Sequence, residues 1–266
     1  MMPARPLVVV ISGASSGLGM SLARHYLERG AIVAACARRG DMLQTLAAEH
    51  SGKVFIYPLD VRDAAAVQHA AQDFITRAGA PDIVIANAGV SVGTITEYTE
   101  DIHAFQQVMD INVLGMVKTF QPFIAPMRAR FSSDEKKPGG VLVGIASVAG
   151  FRGLPGAGAY AASKAAAITY LESLRVELHD SGIKVVTICP GYIKTPMTDV
   201  NTYPMPFMLK ADEATRRIAR VIGQGKSFAV IPWQMGIVGG VLKRLPNWLY
   251  DLLFSKAPHK PRGLLP

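Results

Sequence analysis

The sequence predicts a doubly wound α/β fold: a parallel sheet of about seven strands with helices on both faces. Three observations predict it. Short apolar runs alternate with helical periodicities along most of the chain, the apolar runs are continuous, and a glycine-rich turn follows the first of them. Continuous apolar runs suit strands buried on both faces, and strand-helix alternation is how parallel neighbours are connected.

The strand runs fall at residues 7–11, 32–36, 53–57, 83–86, 140–145, 184–189 and 228–231, and the helical patterns at 17–29, 41–50, 64–77, 102–130, 157–180 and 212–223. The first run is too short for the apolar stretch of an export signal and leads straight into glycines, so it reads as a strand. Asp41 is placed to cap the second helix. Residues 102–130 read as one long helix. The polar stretch 132–140 (SSDEKKPGG) reads as an exposed tip before the fifth strand.

With 266 residues, half of them hydrophobic and 18% charged, the chain is expected to form one globular domain over 1–266. The formal charge of +8 admits acidic partners. The basic residues are scattered in pairs, such as Arg38-Arg39 and Lys243-Arg244, without the dense runs of a nucleic-acid surface, so no nucleic-acid partner is expected. Two cysteines, Cys36 and Cys189, each close an apolar strand and read as buried free thiols in a reducing cytoplasm. Six histidines show no ligand spacing with cysteines or carboxylates, so no catalytic metal is expected.

In doubly wound sheets the ligand sits beyond the carboxyl ends of the strands. That rule selects Gly13 to Gly19, Arg38 and Arg39, Asp60 and Val61, Asn87 to Gly89, Ser147, and Pro190 with Gly191. The segment Ser12-Gly13-Ala14-Ser15-Ser16-Gly17-Leu18-Gly19 joins a strand to a helix. Its glycines allow a tight turn and a close backbone approach, and the helix N-terminus favours a phosphate. Tyr160 and Lys164 stand four apart in a helix and share a face. An ammonium beside the phenol is expected to lower its pKa, bringing proton transfer nearer neutrality. The glycine-rich turn 150–158 can fold back to bring the Ser147 hydroxyl close to that phenol.

Taken together, these residues resemble the short-chain dehydrogenase/reductase family in its single-domain, Rossmann-like form, over about residues 7–232. The resemblance rests on Gly13, Gly17 and Gly19, Asp60-Val61, Asn87-Ala88-Gly89, Asn112, Ser147, Tyr160-x-x-x-Lys164, and Pro190-Gly191 followed by Thr195. It implies that Tyr160 is the general acid or base, that Ser147 polarises the carbonyl, and that Lys164 holds the nicotinamide ribose. Asn112 would hold a water on the proton-relay path. Asp60 would accept from the adenine amino group, with the Val61 backbone at the ring. Asn87, Ala88 and Gly89 would lie beside the adenine ribose, and Pro190, Gly191, Ile193 and Thr195 would border the nicotinamide. Two positions depart from the family pattern: Ser12 replaces threonine, and Ala86 replaces the first asparagine of Asn-Asn-Ala-Gly.

An acid closing the second strand would favour NAD, whereas this chain has Arg38 and Arg39 there, with Ser15 and Ser16 in the turn; the expectation is NADP(H) over NAD(H). The expected reaction interconverts a carbonyl and an alcohol, as a reductase of a small apolar ketone or aldehyde. The alternatives are a non-catalytic NADP-binding sensor or membrane-docked scaffold, and an isomerase or dehydratase on the same fold. Residues 194–210, rich in proline, methionine and aromatics, are expected to close over the substrate as a lid. The apolar and basic extension 233–266 is too short between prolines to cross a bilayer. Two readings of it stay open: peripheral membrane contact, or packing at a subunit interface or substrate entrance. A homodimer or homotetramer is expected.

Overall fold

In a computed structural model, which describes residues 5–131, 139–201 and 203–263, seven parallel strands form one sheet. In chain order the elements begin with β1 (Val8–Ser12), α1 (Gly17–Glu28), β2 (Ile32–Ala37), α2 (Gly40–Glu49), β3 (Val54–Pro58), α3 (Ala64–Ala78) and β4 (Ile83–Ala86). They continue through α4 (Asp101–Met109), a π-helical turn (Asp110–Leu114), α5 (Gly115–Arg130), β5 (Gly140–Ile145), α6 (Gly158–Glu177) and β6 (Ile183–Pro190). The last third holds β7 (Ile193–Lys194), α7 (Pro196–Asp199), β8 (Leu209–Lys210), α8 (Ala211–Gln224), β9 (Phe228–Ile231), α9 (Trp233–Arg244) and α10 (Asn247–Phe254).

The strand order is β3-β2-β1-β4-β5-β6-β9, and the sense of progression reverses between β1 and β4. Two crossovers leave that point in opposite directions, so their loops diverge and open a crevice at the carboxyl ends of the strands. Register places Ser12, at the end of β1, beside Cys36 of β2 and Ala86 of β4. Six of the selected segments therefore open onto one edge of the sheet.

Both faces are buried, as the continuous apolar runs require. Val9 and Ile11 pack on one side with Leu22 and Ile218, while Val8 and Val10 pack on the other with Phe74, Phe120 and Leu171. Each such side chain contributes about 1.5–3 kcal/mol when fully removed from water, so β1 has no face that tolerates a polar substitution.

Three expectations are corrected. The stretch 102–130 is not one regular α-helix: the π turn at Asp110–Leu114 interrupts it and carries Asn112. The helix expected to run to 180 ends at Glu177, and a 3-10 turn at His179–Ser181 leads to Gly182 at φ 69. Asp41 is not the cap of α2; Arg39 occupies that position and Asp41 sits in the first turn, where a carboxylate meets the positive end of the helix. The extension after Pro232 forms two short helices, and no helix among the described residues is long and apolar enough to cross a membrane. Most of the polar tip, 132–138, lies outside the described residues.

Candidate functional site

The glycine turn is built to be crowded. Gly13 has φ 70 and Gly17 φ 54, the left-handed region that favours glycine. A Cβ on Gly19 would stand 2.2 Å from the Gly13 carbonyl oxygen and 2.4 Å from Asn87 Nδ2. Asn87 clamps the turn by donating from Nδ2 to the Ser12 and Gly13 carbonyls at 3.1 and 3.3 Å. Ser12 Oγ accepts from the backbone N–H of Asn87 at 3.2 Å and of Ala88 at 3.3 Å. The hydroxyl is the working part of this position, which is why serine serves in place of threonine. Leu18 anchors the start of α1 on the core. A Cβ on Gly17 would meet the Thr195 side chain at 3.2 Å, so the helix N-terminus faces the segment after β6. A backbone cradle that side-chain carbons would fill fits a dinucleotide pyrophosphate.

At the end of β2, Arg39 reaches across to the turn. Its Nη2 donates to Ser16 Oγ at 2.6 Å and to Ser15 Oγ at 3.1 Å. Arg38 is exposed beside it, and its charge helps hold the Asp60 carboxyl below the ordinary carboxylate range. The main cause of that lowering is Arg62, whose guanidinium donates to Asp60 Oδ2 at 2.7 and 3.0 Å while its backbone N–H donates to Oδ1 at 2.9 Å. Asp60 is thus already engaged by a neighbour two residues away. Val61 is buried in a small apolar cluster with Val90, Val92 and Ile111.

The expected proton-transfer group assembles around β5 and α6. Ser147 caps the 3-10 turn Val148–Gly150, accepting from the Ala149 N–H at 3.1 Å and donating to the Pro190 carbonyl at 3.4 Å. The Ser147 side chain is close enough to the Tyr160 phenol to act on its pKa. Burial raises the Tyr160 pKa; the Ser147 side chain opposes the rise, and Cys189 and Tyr192 add to it. The expected lowering by Lys164 is therefore not what this structure holds. Lys164 Nζ lies 5.7 Å from the Tyr160 ring centroid and donates to the Ile145 carbonyl at 2.9 Å. With no carboxylate beside it, burial brings its own pKa down to about 8.

Asn112 is fully buried and spends its side chain on structure. Its Oδ1 accepts from the Val90 N–H at 2.8 Å, and its Nδ2 donates to the Val90 carbonyl and to Ser163 Oγ, each at 2.9 Å. A Cβ on Gly89 would stand 3.2 Å from Asn112 Oδ1 and 3.5 Å from Lys164 Nζ, so the two groups converge there. Ser163, which sequence reasoning missed, ties α6 to the π turn; its position next to Lys164 was the available signal. Ile193 and Pro190 are buried, and Gly191 leaves room for Met235 of α9.

The segment 194–210, expected to close over the substrate, carries α7 and β8, with Tyr203 in edge contact at 6.4 Å with Tyr192 just before it and Phe207 and Met208 exposed; residue 202 lies outside the described residues. Past α10 the chain returns to this region. Gly93 donates its N–H to the Pro261 carbonyl at 3.0 Å, and Arg262 forks onto Asp101 while its guanidinium lies 3.7 Å from the Tyr98 ring centroid. Between them Lys260 is buried, its Nζ donating to Ser91 Oγ at 3.0 Å and to the Met197 carbonyl at 3.3 Å. No sequence signal distinguished Lys260 from its basic neighbours.

Comparison with known proteins agrees with this geometry. The family model described as short chain dehydrogenase matches residues 7–204. The chain is 38% identical over 245 residues to an uncharacterized oxidoreductase of Myxococcus xanthus, covering 91% of this chain and 94% of that protein. It is 34% identical over 259 residues to 11-beta-hydroxysteroid dehydrogenase-like 2 of Arabidopsis thaliana, covering 93% and 81%. Among solved structures, an alcohol dehydrogenase from the archaeon Thermococcus sibiricus, complexed with 5-hydroxy-NADP, matches at 25% identity with a TM-score of 0.73, covering 85% of this chain and 96% of that one.

Proposed function

This chain belongs to the short-chain dehydrogenase family and is an oxidoreductase, and from that premise we propose that it is an NADPH-dependent reductase of an apolar ketone or aldehyde. The observation that carries the reading is the Tyr160 phenol with Lys164 one helical turn further along α6, its Nζ 5.7 Å from the Tyr160 ring centroid, and the Ser147 hydroxyl held just past β5 on the Pro190 carbonyl. The bound nicotinamide supplies the hydride. Tyr160 Oη donates its proton to the substrate oxygen, and Ser147 Oγ is the second donor that orients that oxygen. Burial keeps the phenol protonated through neutral pH, which suits reduction. In the oxidative direction the phenolate is needed, so alcohol oxidation is expected to rise with alkaline pH. Lys164 holds the nicotinamide ribose, and Asn112 positions the Val90 backbone, in the loop after β4, and Ser163 beside it.

The preference for NADP rests on Arg38 and Arg39 where an acid would serve NAD, with Arg39 already spanning Ser15 and Ser16. The Thermococcus relative holds an NADP derivative in its solved structure. The apolar substrate rests on Tyr192 and the lid's Tyr203, Phe207 and Met208.

A screen of carbonyl compounds for NADPH oxidation, followed by Tyr160→Phe with the best substrate, tests the mechanism. The variant is expected to lose about 10²–10⁴-fold in kcat while keeping NADPH affinity; unchanged turnover refutes it. Arg38→Ala/Arg39→Ala is expected to raise KM for NADPH by about 10–100-fold with NADH unaffected. Equal losses with both cofactors would remove the 2′-phosphate contact from the proposal.

A further inference from the structure

The two helices of the extension turn an unusual face to solvent. Trp233, Ile237 and Val241 follow one another at four-residue spacing along α9, and Trp248, Leu252 and Leu253 continue the pattern on α10; all six are 55 to 71% exposed. A surface helix ordinarily turns its polar face outward. Here the inward faces are already satisfied: Met235, Gly239 and Tyr250 are buried against the body. A concentration of large apolar groups left in water after the fold has buried its own share marks an interaction surface.

The face is held firmly. Arg152 Nη1 donates to the Leu242 and Leu245 carbonyls at 2.8 and 2.7 Å, Nη2 donates to Asn247 Oδ1 at 3.0 Å, and the guanidinium lies 4.1 Å from the Tyr250 ring centroid. Tyr250 in turn donates to the Gly153 carbonyl. These bonds satisfy the last carbonyls of α9 and set the angle between the two helices.

Charge identifies the occupant. From 233 to 256 the chain carries Lys243, Arg244 and Lys256, all exposed, against the single acid Asp251. Tryptophans beside lysine and arginine on a short amphipathic helix suit the headgroup layer of an anionic bilayer, where indole sits at the boundary and the cations meet phosphates. At 12 and 8 residues, the helices are suited to lying in that layer. We propose that the α9–α10 face docks this protein on an anionic lipid bilayer, with Trp233 and Trp248 entering the headgroup region and Lys243, Arg244 and Lys256 on the lipid phosphates. The binding does not depend on the carbonyl-reductase reading, and its test needs no substrate.

The chain has only two tryptophans, and both are on this face, so intrinsic fluorescence reports on it directly. Full-length protein is titrated with vesicles of phosphatidylcholine alone and of phosphatidylcholine mixed with phosphatidylglycerol, with co-sedimentation in parallel. The expected result is a blue shift and co-sedimentation with the phosphatidylglycerol vesicles, weakened by salt. Lys243→Glu/Arg244→Glu is expected to lower the partition coefficient about tenfold or more, and Leu252→Ser/Leu253→Ser to do the same by removing apolar contact. Each variant is first shown to keep its melting temperature and NADPH binding, which separates docking from misfolding. No blue shift with either vesicle overturns the proposal. Equal binding to neutral vesicles overturns the anionic assignment. A lipid-free, concentration-dependent blue shift with a dimer in sedimentation assigns the face to a second copy and also overturns it.

Discussion

Lys260→Met is expected to abolish one component of the pH dependence of stability, and the burial of the ammonium sets its size. Lys260 is 7% exposed and donates to a hydroxyl and a carbonyl, with no anion among its hydrogen-bond partners. Burial therefore lowers its pKa from 10.5 to about 8. In the unfolded chain the group keeps its proton until about pH 10.4. Between those values the unfolded state binds more protons than the folded one, so stability rises with pH across that window. At about 1.4 kcal/mol per pH unit, the gap from about 8 to 10.5 amounts to about 3 kcal/mol. That figure is an upper one, since any water reaching Nζ shrinks it. Below about pH 8 the fold carries this cost, partly offset by the two hydrogen bonds. The assay is urea unfolding of wild type and variant at matched pH from about 7 to 10.5, reading the difference between them. Lys164 titrates in both proteins and cancels. The wild type is expected to gain about 2–3 kcal/mol on the variant over this range. A flat difference refutes the burial of Lys260 and with it the seating of the tail between Ser91 and Met197.

Two further outcomes follow from crowding and from hydrogen-bond bookkeeping. Gly19→Ala puts a carbon 2.2 Å from the Gly13 carbonyl oxygen, so the turn must move; NADPH affinity by fluorescence titration is expected to fall about 100-fold with the far-ultraviolet circular dichroism unchanged. Asn112→Ala leaves the Val90 N–H and carbonyl without their partner inside the protein and is expected to cost about 2–4 kcal/mol in urea unfolding. A loss below about 0.5 kcal/mol would mean the π turn does not depend on that clamp.

Much of this protein was legible before any tertiary contact was known. The strands at Ile83–Ala86 and Gly140–Ile145 match the apolar runs residue for residue, because a strand buried on both faces must be apolar at consecutive positions; the edge strand Phe228–Ile231 matches its run too, though Phe228 is exposed. The glycine turn was legible for a related reason: positive φ at Gly13 and Gly17 and the tight approach at Gly19 are backbone demands that only one residue type meets. Tyr160 and Lys164 share a face of α6 by helical spacing alone.

What spacing could not supply is where a polar group points once other segments surround it. Lys164 was expected to tune the phenol, yet its Nζ is directed at the Ile145 carbonyl, which lies nineteen positions earlier in the chain, and the side chain that opposes the burial-driven rise in the Tyr160 pKa is Ser147. Asn112 sits in a π turn with its side chain bonded to the backbone of Val90, twenty-two positions away. Lys260 looked like one more member of a basic tail, and the stretch around Trp248 was read either as a membrane contact or as packed at a subunit interface or substrate entrance. Packing buries the ammonium under Met197 and leaves the indole in water. The sequence by itself determined which segments are strands and helices, since periodicity and backbone freedom are local properties. Tertiary structure decided the burial and hydrogen-bond partners of the lysines and Asn112, because desolvation and hydrogen bonding depend on segments brought together only when the chain folds.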